Sequence, residues 1–355
     1  VTGTLPQYSP PSDATDVELA LASMQAYMDD LSQRMTSASE ALAAVSSNVS
    51  APSPDIHNIA ASTIPRWHFA MLNDHERNDA FAEAMARQVR PGSHVLDIGS
   101  GAGLLAMMAA DAGAGRVTTC EANPVLAEIA RRVVAEHGMS DVITVVNKWS
   151  TDLVVGEDIP RRADLIVSEI VDCGLIGEGM FPTMRHARTE LLADGGQLVP
   201  ETARIYGALV EGEVVASLNR VTTAGGYDVR LLNTVATQGH FPVRLSTWPH
   251  RVLSESTLVS EFDIRTDPLV DGQRTISFPV LSDGLSHGAV VWFEIDLDEK
   301  VTLRNPPDNV GSHWMQALLL FGRPVPVAAG STLEVDLCWK NERLMAFPQT
   351  PDNSV

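Results

Sequence analysis

Lysine is almost missing from this chain: Lys148, Lys300 and Lys340 are the only ones, and the other basic residues are arginine. Together with abundant alanine, that bias points to a GC-rich, bacterial coding sequence. Cysteine is as scarce. Cys120, Cys173 and Cys338 stand far apart and none has a histidine at metal-ligand spacing, so neither a disulfide framework nor a zinc site is expected. A reducing, cytoplasmic setting fits that usage. Positive charge is short overall. A net charge of −20 sets aside nucleic acid and anionic membranes as partners. No apolar run is long enough to cross a bilayer. The start VTGTLPQYSPPSD has no basic segment ahead of an apolar one, so no secretory leader is expected.

What is present reads as a soluble globular chain of 355 residues, long enough for two domains. Val17, Leu21, Met24, Met28, Leu31, Met35, Ala38, Leu42, Val45 and Val49 recur in steps of four and three, an a/d seam on one helix. So narrow a stripe favours contact with a second subunit over packing on its own domain. From about Pro65 to Pro200 strands alternate with helices (SHVLDIGSG, LLAMMAADAGAG, RVTTCEA, PVLAEIARRVVAEHG, DVITVVN, ADLIVSE), which predicts a Rossmann-like parallel α/β sheet. Beyond Pro200, extended runs such as RIYGALVEGEVV, RTISFPV and AVVWFEIDL alternate with turns and predict an antiparallel β-barrel. The expected domains are 1–57 (heptad helix), 58–200 (cofactor domain) and 201–355 (β-barrel), with a projecting arm at about 219–250.

In VLDIGSGAG, Asp97 ends a strand and Gly99, Gly101 and Gly103 follow. Glycines let a ligand approach the backbone closely where it turns into a helix N-terminus. Glu121, ending the next strand, can accept two ribose hydroxyls. The spacing is not the dinucleotide G-x-G-x-x-G, and an anion seldom precedes a pyrophosphate-binding turn. D-x-G-x-G-x-G resembles motif I of the S-adenosylmethionine-dependent methyltransferases.

The stretch SEIVDCGLIGEGM places Glu169 and Glu178 at the ends of a loop otherwise rich in apolar residues and glycine. Acids in such surroundings call for a cationic partner. A sulfonium donor and a cationic acceptor about 4 Å apart repel by roughly 4 kcal/mol at an effective dielectric of about 20. Two carboxylates offset that repulsion and grip a planar guanidinium by forked hydrogen bonds.

The loop is similar to the double-glutamate loop of the protein arginine methyltransferases. WHFAMLNDHERNDAF resembles their H-x-x-M-L-x-D-x-x-R segment, and HWMQ their threonine–histidine–tryptophan loop, with Ser312 in place of the threonine. GEGMFPT and HWMQ are closest to the monomethylating (type III) branch. The resemblance runs from roughly Pro65 to Pro348. It implies that S-adenosylmethionine is the cofactor, with Arg77 on its methionyl carboxylate, Asp97, Gly99, Gly101 and Gly103 around it, Glu121 on the ribose, and Trp149 and Ser150 at the adenine. Glu169 and Glu178 would bind the guanidinium beside Met71 and Met180. His313 would hydrogen-bond Asp74 and help remove a proton, and Trp314 would wall the pocket. No metal is implied.

The arm and the N-terminal helix would form a homodimer. The tyrosines such enzymes carry ahead of H-x-x-M-L are missing from NIAASTIPRW, so the lid differs. The chain also resembles the free-arginine methyltransferases of nitrosourea antibiotic pathways. Free L-arginine is therefore the expected substrate, with arginine side chains of a protein as the alternative. Arg66 and Arg185 are conceivable partners for an α-carboxylate. A silent cofactor-binding scaffold is the third reading, disfavoured because both acids, Asp74 and the His–Trp pair are all present.

Overall fold

The computed structural model describes residues 64–349 and, ahead of them, 18, 21–30, 32–33 and 36. By contacts the chain divides into two units, residues 66–230 with 236–355, and residues 1–65 with 231–235. In the smaller unit, residues 21–30 are helical, and Leu21, Met24 and Met28 of the heptad seam are 58–67% exposed. The rest of that seam, except these three, lies outside the described residues.

The larger unit opens with α1 (Trp67–Leu72) and α2 (His75–Gln88). Asp74 caps α2 by accepting the Arg77 amide at 3.0 Å. Five parallel strands follow, β1 (His94–Ile98), β2 (Arg116–Cys120), β3 (Ile143–Val146), β4 (Ala163–Ser168) and β5 (Leu192–Val199), ordered β3-β2-β1-β4-β5. All five residues of β1 are buried, as a strand covered on both faces requires. Helix α3 (Leu104–Asp111) follows the β1 turn and α4 (Pro124–Glu136) follows β2. Asn123 caps α4, and Pro124 suits its first turn because no amide is needed there. Helix α5 (Met180–His186) follows the loop after β4. The strand order reverses between β1 and β4, and their register pairs Ile98 with Ser168. The glycine turn and the double-acid loop therefore leave the sheet side by side, at the switch point where such folds bind ligands.

The second half is antiparallel. Long strands β6 (Thr202–Glu211), β13 (Gly284–Asp296) and β15 (Gln316–Val327) centre a seven-stranded sheet. It also holds β9 (Phe241–Val243), β10 (Arg251–Val252), β11 (Thr257–Asp263) and β14 (Thr302–Arg304). A three-stranded sheet, β12 (Gly272–Pro279), β16 (Thr332–Lys340) and β17 (Arg343–Pro348), completes the barrel. One apolar core runs through both halves, from Phe81, Leu96 and Ile166 to Phe278, Phe293 and Leu337.

Two local differences from the sequence reading have clear causes. RIYGALVEGEVV does not stay extended: Glu213–Ala216 forms a short helix, α6, because the chain folds back at Gly212, where a Cβ would stand 2.7 Å from Val215. The 219–250 region contains a tiny hairpin, β7 (Thr223–Ala224) and β8 (Tyr227–Asp228). Gly225 and Gly226 between them both have positive φ, as a two-residue hairpin turn demands.

Candidate active site

At the carboxyl end of β1, Gly99 (φ +86), Gly101 (φ +51) and Gly103 (φ +86) turn the chain into α3. The amides of Gly99 and Ser100 both bond to the Cys120 carbonyl at 3.0 Å, which pins the turn to β2. Glu121 follows Cys120. Its carboxylate accepts the Gly101 amide at 3.0 Å and the Asn123 amide at 2.8 Å, so it lies along the turn. A Cβ on Gly101 would meet nothing within 4 Å, whereas one on Gly99 would come within 3.0 Å of Ile170. The turn is thus packed below and open above. Asp97 is fully buried; one of its oxygens accepts the Thr119 hydroxyl at 2.7 Å, and the other has no partner among the described residues. Burial, partly countered by Thr119, lifts its pKa to about 7. An open glycine cradle, an orphaned buried acceptor and a second acid at the rim fit a small polar cofactor such as the one the resemblance implies. Ser150 is buried near this end of the sheet, and Trp149 is 69% exposed.

The double-acid loop starts at the end of β4. The Glu169 side chain is 5% exposed, and its Oε2 receives both Nη2 (2.6 Å) and Nε (3.1 Å) of Arg77. The resemblance assigned Arg77 to an external carboxylate and Glu169 to an external guanidinium. In this structure each is the other's partner, because a buried charge requires a counter-charge. Glu169 can therefore hold a planar guanidinium at this spot. Burial raises its pKa, with Arg77 opposing. Glu178, at the far end, is exposed as a residue, with its carboxyl end set against the loop, and has φ +60. Desolvation, then the charges of Glu169 and Asp172, lift its pKa to about 7. Leu175 in the same loop has φ +78. Left-handed backbone at two residues other than glycine costs roughly 1–3 kcal/mol each and persists only where neighbours enforce it.

Asp74 joins the two halves. Its Oδ2 accepts both the backbone N–H of His313 and His313 Nδ1, each at 2.8 Å. Burial alone would raise Asp74, but the His313 and Arg77 amides outweigh it and hold the carboxyl below its usual range. Burial pushes His313 the other way, below the ordinary imidazole value. Trp314 is buried and donates its indole N–H to the Val171 carbonyl at 3.1 Å, inside the double-acid loop. Met71 and Met180 are both buried. The structure thus brings Arg77 to Glu169, Asp74 to His313, and Trp314 to the loop. Arg185 donates to the Leu269 carbonyl at 3.0 Å, and Arg66 is exposed. Most of NIAASTIPRW lies outside the described residues.

Sequence reasoning missed Asp172 and His240. Asp172 accepts the Gly174 and Gly177 amides at 3.1 and 3.0 Å, and its other oxygen faces His240 Nε2 at 2.5 Å. Cys173 lies beside them, its sulfur and their ligand atoms all within 4.8 Å of one another. Linear spacing had hidden that histidine. The only available signal was a third acid inside the loop.

Comparison with known proteins agrees with this architecture. Residues 201–346 match the arginine methyltransferase oligomerization subdomain, and residues 74–189 match the ribosomal protein L11 methyltransferase (PrmA) family. The chain is 51% identical over 331 residues to an arginine N(omega)-methyltransferase of Streptomyces achromogenes subsp. streptozoticus, covering 93% of this chain and 92% of that one. It is 31% identical over 333 residues to protein arginine N-methyltransferase 7 of Drosophila erecta, where it spans 80% of this chain and 48%, about half, of that protein. Among solved structures, the Trypanosoma brucei PRMT1 enzyme–prozyme complex with AdoHcy superposes with a TM-score of 0.70 at 21% identity, over 82% of this chain and 100% of that one. Arabidopsis thaliana protein arginine methyltransferase 10 gives 0.67 at 23% identity, over 83% and 96%. The last two are likenesses of fold. Identity over nearly the full length of two chains is a matter of descent, and the chain belongs to the arginine methyltransferase family.

Proposed function

We propose that this S-adenosylmethionine-dependent arginine methyltransferase places a single methyl group on an ω-nitrogen of free L-arginine. The observation that carries the choice of substrate is the end-to-end match with the Streptomyces arginine N(omega)-methyltransferase. The second reading, methylation of arginine side chains in a protein, draws on the match to protein arginine N-methyltransferase 7, of which the chain spans about half.

The cofactor supplies an electrophilic methyl on a sulfonium. Gly99, Gly101 and Gly103 would line its bed with Asp97, Glu121 would take its ribose, Arg77 its carboxylate, and Trp149 and Ser150 its adenine. Glu169 and Glu178 then hold the acceptor guanidinium between two anions and turn one nitrogen toward the methyl. Charge placed before the reaction starts needs no rearrangement during it. Met71, Met180 and Trp314 would exclude water around the flat cation. Neutral His313, its Nδ1 tied to Asp74, would keep Nε2 able to accept the proton the product nitrogen sheds. A homodimer formed through the arm and N-terminal helix, residence in the cytoplasm, and a place in antibiotic biosynthesis complete the reading. So do a cofactor domain at 58–200 and a barrel at 201–355.

The test offers free L-arginine and an arginine-rich peptide side by side with methyl-labelled cofactor. Label should enter free arginine as monomethylarginine. Label in the peptide alone would select the second reading, and dimethylarginine with excess cofactor would refute the one-methyl limit.

A further inference from the structure

Three glycines leave room for close packing where the double-acid loop meets the second half of the molecule: Gly177 within the loop, Gly174 between the two, and Gly239 within the second half. A Cβ on Gly177 would lie 2.4 Å from Asp172 Cγ, one on Gly174 would lie 3.0 Å from Leu344 and 3.1 Å from His240, and one on Gly239 would lie 2.9 Å from the Leu344 carbonyl. At that junction the His240 side chain is 6% exposed. Its Nδ1 accepts the Leu344 N–H at 2.9 Å, so that nitrogen bears no proton. The ring proton therefore sits on Nε2 and is donated to Asp172 Oδ2 at 2.5 Å. Asp172 Oδ1 meanwhile holds the amides of Gly174 and Gly177, the residues flanking the left-handed Leu175 and preceding the left-handed Glu178. A metal ion shared with Cys173 does not suit this geometry, because it would need the Nε2 lone pair that the proton occupies.

We propose that Asp172 and His240 are positioning residues, a latch that holds Glu178 in its left-handed conformation and fixes its aim relative to Glu169. Strands β9, which follows His240, and β17, which carries Leu344, thereby set the geometry of the clamp without touching the substrate. This rests on the reading that Glu169 and Glu178 grip the guanidinium.

The experiment compares two replacements. His240→Gln keeps an N–H where Nε2 stands; His240→Asn keeps the acceptor for Leu344 but does not reach Asp172. His240→Gln should stay within about threefold of wild-type kcat, while His240→Asn should lose about 10–100-fold, the scale of a misplacement near 1 Å. Affinity for S-adenosylhomocysteine, measured by titration, should be unchanged in both. Asp172→Asn retains an oxygen for the two glycine amides but turns an NH2 against the Nε2 proton. It should match His240→Asn, and the double variant should lose no more than either single one. Equal kcat in His240→Gln and His240→Asn, or a loss of kcat that tracks cofactor affinity, overturns the latch. Should His240→Asn fail to bind S-adenosylhomocysteine, Asp172→Asn decides by the same two readouts. Normal turnover in Glu178→Gln would instead remove the clamp beneath it.

Discussion

In the proposed clamp Glu169 and Glu178 act as anions, in surroundings that raise the pKa of both. Glutamine keeps the shape and removes the charge. Glu169→Gln or Glu178→Gln should lower methyl transfer by at least about a hundredfold, comparable to removing a preorganised electrostatic group, while S-adenosylhomocysteine binds normally. The pH dependence of folding reports on Glu178 separately. Its folded pKa of about 7 lies above the ordinary 4.5, so its ionisation favours the unfolded chain. Stability associated with Glu178 is therefore complete below about pH 4.5 and lost as pH rises through 7. In melting curves of the cofactor-free protein, Glu178→Gln should gain on wild type from pH 5 to pH 7.5; a constant difference would contradict the raised pKa. The acids themselves were legible in the sequence because their apolar setting makes them conspicuous. Arg77 on Glu169 and His240 on Asp172 were not, since each pair is separated by a long stretch of chain and joined only by folding.

Among the elements, the β1 turn was the most readable, because glycines after a buried strand leave few alternatives. Positive φ at all three confirms that backbone. Gly101→Ala separates fold from binding. Its Cβ would strike no protein atom within 4 Å, so the cost to folding is the left-handed alanine alone, about 1–2 kcal/mol. Added bulk in the cradle should lower S-adenosylhomocysteine affinity at least about tenfold, which calorimetry would measure. Equal affinity would mean that the ligand lies elsewhere. The end of β6 was less legible: EVV has strand propensity, yet the chain turns back at Gly212, where a Cβ would strike Val215, and Glu213–Ala216 closes as a short helix. Short strands such as β9 and β14 carry too few residues to show a period of two.

At the scale of the whole molecule, apolar side chains remain exposed. Tyr227, Leu231, Leu232 and Val235 in the arm are 55–77% exposed, and Leu21, Met24, Tyr27 and Met28 are 58–67% exposed. Under the proposed homodimer these side chains would be covered by the second copy. Sedimentation should show a dimer that Leu231→Ser with Leu232→Ser shifts toward monomer. Removal of residues 1–57 should weaken it further; a monomeric wild-type protein would contradict both. The division into a parallel and an antiparallel half was legible from the change in periodicity. The loop ahead of β15 sets His313 on Asp74, a contact that the resemblance implied, and sends Trp314 to the Val171 carbonyl, which no local pattern encodes.

Under the proposed clamp, the Arg77 guanidinium already seated on Glu169 is an internal competitor for the acceptor. Arginine arriving first meets an occupied carboxylate, and only a second anion able to draw Arg77 aside vacates it. Turnover should then be compulsorily ordered, with the carboxylate-bearing methyl donor entering ahead of the acceptor. Under the proposed substrate reading, a plentiful amino acid would then not clog the empty enzyme.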